Sequence, residues 1–260
     1  MVNRFTVLIC ILSVLVGGCK KKSKPIEEEP TPVLTPNVTP APSLLMNIPA
    51  DADGVFFASF IYHKFPSTYV TVLGNASAFI YASPTNHTYI DGGPVKVNDS
   101  ILPRITGGSY YLYGTPVDGQ NFSGINFQDS VKWRMAGNTT TGVPSFSFSS
   151  PGMPNPVVLS SKPNASRTHP FDANFFNFLG ADSLVIILNA DSAGVKKTVE
   201  GATTLVHFTT AEMAGIRKKV SFVQGSLSVI AYKSRLYTVG TKNYYFINSF
   251  TSTSVIFVGD

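Results

Sequence analysis

The side chains best suited to acid–base, nucleophilic or metal chemistry are scattered along the chain. No two histidines have the spacing of metal ligands, and the His-Glu-x-x-His pattern of zinc enzymes is absent. The Gly-x-Ser-x-Gly turn of many hydrolases and the glycine-rich phosphate-binding loops are absent as well. We therefore expect a protein that is not an enzyme, with no cofactor and no metal site. The four histidines are His63, His87, His169 and His207.

A hydrolase assembled from distant loops stays open as an alternative. His169, Asp172 and Asp182 flank an aromatic-rich segment, and they are the first candidates for its acid–base residues. A pocket that gathers these titratable groups would favour this interpretation. Asp51 and Asp53 resemble the start of a calcium loop, but the later Glu of such a loop is missing. We expect them to form a turn that leads into the first strand.

Four aromatic residues are candidates for ligand binding: Tyr111, Tyr113, Trp133 and Tyr244. An exposed row of such rings can stack on sugars or contact an envelope protein. The alternative is that the rings are core residues and cross-strand pairs, and we favour it.

Four serines follow an aspartate and precede a small or apolar residue. This pattern resembles the O-glycosylation signal of some Gram-negative periplasmic and surface proteins, and the alternative is Asp-Ser turn chemistry. The four candidates are Ser100, Ser130, Ser183 and Ser192.

The first nineteen residues carry the clearest pattern in the chain. Arg4 precedes an apolar run over residues 5–16, which is too short for a membrane-spanning helix and typical of a signal peptide. The following Gly17, Gly18 and Cys19 complete a segment, 15–19, that resembles the lipobox of bacterial lipoproteins. Val16 stands where that pattern usually has Leu.

The lipobox resemblance implies cleavage of residues 1–18 and lipidation of Cys19. Two or three acyl chains would then hold the protein on a membrane, since each buried methylene contributes about 0.8 kcal/mol. Lys20 follows the cysteine. A residue other than Asp at this position resembles the pattern of Gram-negative lipoproteins that are sorted to the outer membrane. With Cys10 removed, the mature chain has one cysteine and no intramolecular disulfide.

Residues 19–49 predict a disordered, proline-rich tether. Six prolines fall between positions 30 and 49, where they prevent helices and central strands. The formal net charge of the chain is +5, and much of the excess is Arg4 and the lysines of residues 20–24. Because no basic stripe remains in the rest of the chain, we expect no nucleic-acid partner.

The remaining residues predict an all-β body. The chain is 43% hydrophobic but only 13% charged, and its short apolar-aromatic runs alternate between turn residues. One helix is expected near residues 211–216, with Thr209 or Thr210 as its N-cap. The strand candidates include 55–62, 227–232, 236–239, 244–248 and 254–258.

A loop-like, proline-rich change of composition at residues 136–156 predicts two tandem antiparallel β-sandwich domains of immunoglobulin-like type, 50–140 and 141–260. One larger sandwich with a long crossover is the alternative. The layout resembles the tethered β-sandwich lipoproteins of Gram-negative outer membranes. We therefore expect a non-catalytic binding or scaffolding protein of the cell envelope, whose partner is a glycan or an envelope protein. A surface-fibre or adhesion subunit is a further alternative, with 254–258 as its exposed edge strand.

Overall fold

The computed structural model describes residues 49–64, 70–105, 107–127, 130–162, 164–176, 180–190, 193–201, 203–216 and 222–259. The predicted signal peptide, Cys19, almost all of the tether and Ser192 lie outside the described residues. Within them, strands dominate and helix is limited to one short segment, which confirms the all-β prediction. All of the described residues fall in one compact unit.

A ten-stranded sheet forms the centre of the fold. Seven of its strands follow the order β14-β13-β16-β17-β1-β2-β3, while β11 pairs with β17 and both β6 and β7 pair with β2. The strands of this main sheet are β1 (Gly54–Lys64), β2 (Val70–Ser83), β3 (Asn86–Tyr89), β6 (Tyr110–Leu112), β7 (Phe122–Gly124), β11 (Asn164–Ser166), β13 (Ser183–Ala190), β14 (Ala193–Glu200), β16 (Phe222–Val239) and β17 (Lys242–Gly259).

The hairpin of β16 and β17 is the longest feature of the main sheet. Each strand has 18 residues, and their pairing runs without interruption from Val239↔Lys242 to Phe222↔Gly259. Gly240 opens the two-residue turn with φ of +61°, a conformation that glycine adopts without steric cost. The four strands predicted separately over 227–258 are therefore two continuous strands.

Pairing of β1 with β17 joins the two ends of the described chain. The two strands run parallel from Gly54↔Tyr244 to Ile61↔Thr251. Two tandem immunoglobulin-like domains are not confirmed, because this ladder crosses the predicted boundary at 140/141. In addition, a purely antiparallel sandwich contains no parallel pairing of this kind.

A second sheet of four strands covers part of one face of the main sheet. Its inward residues alternate with outward ones: Val131, Trp133 and Met135 are buried, whereas the residues between them are exposed. These side chains pack with Phe56 and Phe246 of the main sheet into an aromatic core. The strands, in sheet order, are β5 (Ser100–Leu102), β4 (Val95–Val97), β8 (Ser130–Met135) and β9 (Phe146–Pro151).

A third sheet and the helix cover another part of the same face. Leu227 and Ile256 of the main sheet pack there with Phe175 and Phe208. Side chains of even-numbered residues along β17 share one face, so the cores around Phe246 and Ile256 lie on the same side of the sheet. The elements are β10 (Val158–Leu159), β12 (Phe171–Phe176), β15 (Leu205–Phe208) and α1 (Thr210–Ala214).

Helix α1 begins where the capping residues predict. Thr209 is the N-cap, and its hydroxyl accepts a hydrogen bond from the backbone N–H of Glu212. The Glu212 carboxylate in turn accepts from the backbone N–H of Thr209 at 2.8 Å, which completes a capping box. Gly215 is the C-cap.

Candidate functional site

A cleft of about 580 Å³ lies beside β17, at the level where neither β1 nor β11 pairs with it. The cleft lies between the end of β1, the segment that follows β10 and the β16–β17 hairpin. Its described lining residues are Tyr62, Leu159, Ser161, Lys162, Ser226, Leu227, Thr253, Ser254, Val255 and Ile256.

The cleft borders a gap in the pairing of β17. On this edge, β1 pairs with β17 as far as Thr251, and β11 takes over at Phe257. Within the described part of the chain, no strand pairs with residues 252–256 on this side. The gap is therefore five residues long and has a parallel strand at each end.

The direction of the backbone groups in the gap follows from the hairpin register. Val239 and Lys242 flank the two-residue turn, so even-numbered residues of β17 exchange hydrogen bonds with β16. Odd-numbered residues then direct N–H and C=O to the opposite edge. Two hydrogen bonds on that edge fit this assignment: Asn243 O accepts from Asp53 N at 2.8 Å, and Gly259 O accepts from Arg167 N at 2.9 Å. The N–H and C=O groups that face the gap therefore belong to residues 253 and 255.

Apolar and hydroxyl side chains line the cleft. Leu227 and Ile256 are 2% and 1% exposed and form its apolar floor, while Val255 is 53% exposed. Ser161 is held in place, because its hydroxyl accepts from Asn174 N at 2.8 Å. Lys162 carries the one full charge among the described lining residues. Among the described lining residues, Tyr62 and Lys162 are the titratable ones.

The residues of the hydrolase alternative lie in three separate hydrogen-bonded groups. His169 Nδ1 contacts Ser166 Oγ at 3.2 Å, and the carboxylate of Asp182 accepts from Arg235 Nη1 at 2.8 Å. Asp172 instead contacts His207 Nδ1 at 2.7 Å, and both of these side chains are about half exposed. The structure does not gather the three predicted residues.

The Asp172–His207 pair is a contact that the sequence analysis missed. The two residues are register partners on β12 and β15, and their side chains lie on the outer face of that sheet. A carboxylate on Nδ1 orients an imidazole as in a catalytic triad. The hydrogen bonds of the described residues give His207 no serine, threonine or cysteine partner. Alternation on the two strands was visible in the sequence, but the register was not.

Two of the four predicted aromatic residues belong to the core. Trp133 and Tyr244 are each 1% exposed, and burial raises the pKa of Tyr244 well above its usual range. Their rings are closed to a surface ligand. Tyr111 and Tyr113 stack with ring centroids 4.7 Å apart, and Tyr113 is 57% exposed. This tyrosine pair is therefore the part of the predicted aromatic set that reaches the surface.

The serines of the predicted glycosylation pattern differ in access. Ser183 is 2% exposed and lies in a strand paired on both sides, so its hydroxyl has no room for a sugar. Ser100 and Ser130 are half-buried, on β5 and β8.

Both carboxylates of the turn before β1 are held by protein donors. Asp53 accepts from Lys242 Nζ at 2.8 Å and from Asn243 N at 2.9 Å. Asp51 accepts from the hydroxyl of Tyr245 at 2.7 Å and from Asn243 Nδ2 at 3.1 Å. In the described residues, no group of three or more His, Cys, Asp or Glu side chains comes together as a metal site. The segment is a turn that fastens β1 to the tip of the hairpin.

No protein-family model matches the chain, and no curated protein matches it either. The described residues contain no helix with the length and apolar character needed to cross a bilayer.

Proposed function

We propose that this chain is a lipid-anchored protein of the cell envelope with a non-catalytic binding or scaffolding role, and that the cleft beside β17 is its binding site. The observation that carries the binding role is the five-residue pairing gap of β17, which opens onto a cleft whose described lining is mainly apolar and hydroxyl-bearing. The lipobox-like segment that ends at Cys19 supports the anchor.

The anchor is tested by substitution of each cysteine in turn. Cys19→Ala is expected to stop precursor processing and lipid labelling. Cys10→Ala keeps the apolar run intact and is the matched control, expected to label and fractionate like the parent protein. Equal labelling of the two variants by a clickable fatty acid would refute the lipid anchor.

Outer-membrane sorting is proposed from the residue after the cysteine. Lys20→Asp is expected to move the protein to the inner-membrane fraction of a sucrose gradient, while Lys21→Asp leaves it in the outer-membrane fraction. The same distribution for both variants would contradict sorting by position 20.

The binding role is tested by site-specific photo-cross-linking in intact cells. A benzophenone side chain at Ser254, which lines the cleft, is expected to give one discrete product with an envelope protein. The control position is Ser149, an exposed residue of β9 on a different sheet. Products that are identical at the two positions, or absent from both, would contradict a binding site at the cleft.

A glycan partner is the second form of the binding role, and the exposed Tyr111–Tyr113 stack favours it. Aromatic faces stack on sugar rings, so Tyr113→Ala should abolish any signal on a glycan array. A signal that survives this substitution would exclude the tyrosine pair as the glycan site.

A hydrolase remains the second candidate class, because the Asp172–His207 contact has the geometry of an orienting carboxylate. It predicts turnover of fluorogenic ester or peptide substrates that His207→Gln removes. If the His207→Gln variant turns over the substrate as fast as the parent protein, the activity belongs to a contaminant.

A further inference from the structure

We infer that the gap at residues 252–256 of β17 binds an extended segment of a partner protein as an added β-strand, in which apolar residues alternate with acidic ones. The inference deepens the binding role proposed above and rests on it.

Open backbone groups set the mode of binding. The N–H and C=O of Thr253 and Val255 face the gap, and no described strand pairs with them there. Thr253, Ser254 and Val255 are exposed, so water reaches these groups, and an extended peptide replaces it with one donor and one acceptor at every second residue. Five residues at about 3.3 Å per residue give a strand of roughly 16 Å.

The cleft walls set the chemistry of the added strand. Residues of a strand alternate between the two faces of its sheet, so every second side chain of the peptide meets the floor of Leu227 and Ile256. That floor selects apolar side chains. Lys162 is the charged residue of the described lining, and it selects a carboxylate on the incoming segment.

The outer edges of the main sheet show that this gap differs from an ordinary edge. At one end of the sheet, β14 carries Lys196 and Lys197, and charged side chains discourage pairing with another chain. At the other end, β3 has only four residues, all of them exposed. Residues 253–255 are Thr, Ser and Val, so the gap lacks both of these protections.

The direct test is peptide binding to the full mature lipoprotein in detergent micelles, followed by fluorescence anisotropy. The probe is a fluorescein-labelled heptapeptide in which valine alternates with glutamate. Two matched peptides have lysine in place of glutamate, or N-methyl groups on alternate amides. We expect saturable binding of the first peptide, at least tenfold weaker binding of the lysine peptide, and loss of binding for the N-methylated peptide whose blocked amides face β17.

Variants of the protein locate the binding. Val255→Pro removes the N–H that faces the gap without touching a hydrogen bond to β16, and proline is tolerated at such an edge position. We expect affinity to fall about three- to tenfold, as for the loss of one hydrogen bond, with the unfolding midpoint unchanged. Val255→Ala keeps the N–H and should bind like the parent protein. Lys162→Glu should weaken binding, whereas Lys132→Glu, on an exposed site of β8, should not.

Three results would overturn strand addition. They are no binding of the valine–glutamate peptide, equal binding of its N-methylated form, and equal affinity of Val255→Pro and Val255→Ala. A discrete cross-link at Ser254 alongside any of these would keep the proposed binding role and reject only its mode. Concentration-dependent dimerisation that Val255→Pro abolishes would identify a second copy of this chain as the occupant, and it would overturn the inference of a partner protein.

Discussion

The buried carboxylate of Asp53 is expected to carry a large share of the stability of the chain entry into β1. Its side chain is 6% exposed, and it receives hydrogen bonds from Lys242 Nζ at 2.8 Å and from Asn243 N at 2.9 Å. Both donors belong to the start of β17, next to the hairpin turn. Asp53 therefore ties the segment before β1 to the tip of the longest hairpin.

The magnitude follows from the two donors that lose their acceptor. A hydrogen bond to a charged group contributes about 1.5–3 kcal/mol, and a buried donor left without a partner costs about 1–3 kcal/mol. Lys242 is 30% exposed, so water replaces part of what its ammonium group loses. We expect Asp53→Ala to destabilise the protein by about 3 kcal/mol. Asp53→Asn keeps an acceptor for Asn243 N and should cost about 1–2 kcal/mol.

Thermal unfolding of the purified protein measures these changes. For a folded body of this size, 1 kcal/mol shifts Tm by about 2–4 °C, so Asp53→Ala should lower Tm by roughly 6–12 °C. The control is Arg134→Ala, which removes an ion pair to Asp99 at 3.6 Å. Because the side chains of Arg134 and Asp99 are 62% and 84% exposed, the control should shift Tm by about 2 °C or less.

Two outcomes would refute the reasoning about Asp53. Equal shifts for Asp53→Ala and Arg134→Ala would mean that the buried carboxylate does not link the chain entry to the hairpin. A Tm that rises with added Ca²⁺ in the parent protein, but not in Asp53→Asn, would mean that the carboxylate binds a cation instead of Lys242.

Three further predictions address the core, the domain organisation and the pH dependence. Trp133→Ala opens a cavity in the core and should cost about 3–5 kcal/mol in chemical unfolding, far more than Phe176→Ala at a position that is 50% exposed. A protease site inserted in the exposed turn after Thr140 should yield two fragments that co-elute under native conditions, since β1 pairs with β17 across the cut, whereas two separately folded fragments would support tandem domains. A hydrogen bond from Lys197 and one from the backbone N–H of Thr209 lower the pKa of Glu212 from 4.5 to about 2. Stability from Glu212 is then present above about pH 4.5 and lost as the pH falls through about 2, so Glu212→Gln should differ from the parent protein at pH 6 but not below pH 2.

Local secondary structure could be predicted from the sequence. Alternation of apolar and polar residues predicts strands because successive side chains point to opposite faces, and the buried positions of β8 and β9 follow that pattern. The capping pair Thr209 and Glu212 predicts the start of α1 because it satisfies free backbone donors within three residues. Such features depend on neighbours in the chain and on no distant contact.

The register of the strands and their pairing partners could not be predicted from the sequence. The contact of Asp172 with His207 depends on a pairing across 35 residues, and the ladder of β1 with β17 joins segments about 190 residues apart. Nothing in a strand sequence states which distant strand it meets. The cleft is even harder to predict from the sequence, because its position depends on where two pairings of β17 end. The pairing with β1 stops at Thr251, and the pairing with β11 begins at Phe257.

The change of composition at residues 136–156 spans the β8–β9 turn, β9 and the first residues that follow it. Strands β4, β5, β8 and β9 build the sheet that covers the core around Trp133, and strands β10, β12 and β15 build the sheet that covers the core around Phe175. The chain leaves the first covering sheet for the second after Pro151, at residues 152–157, while the main sheet lies beneath both. Along the edge of β17, β1 ends on the side of the first core and β11 begins on the side of the second. The cleft therefore lies beside the second core, between the end of β1 and the start of β11, and this position leaves β17 with paired strands at both ends of the gap and open backbone between them.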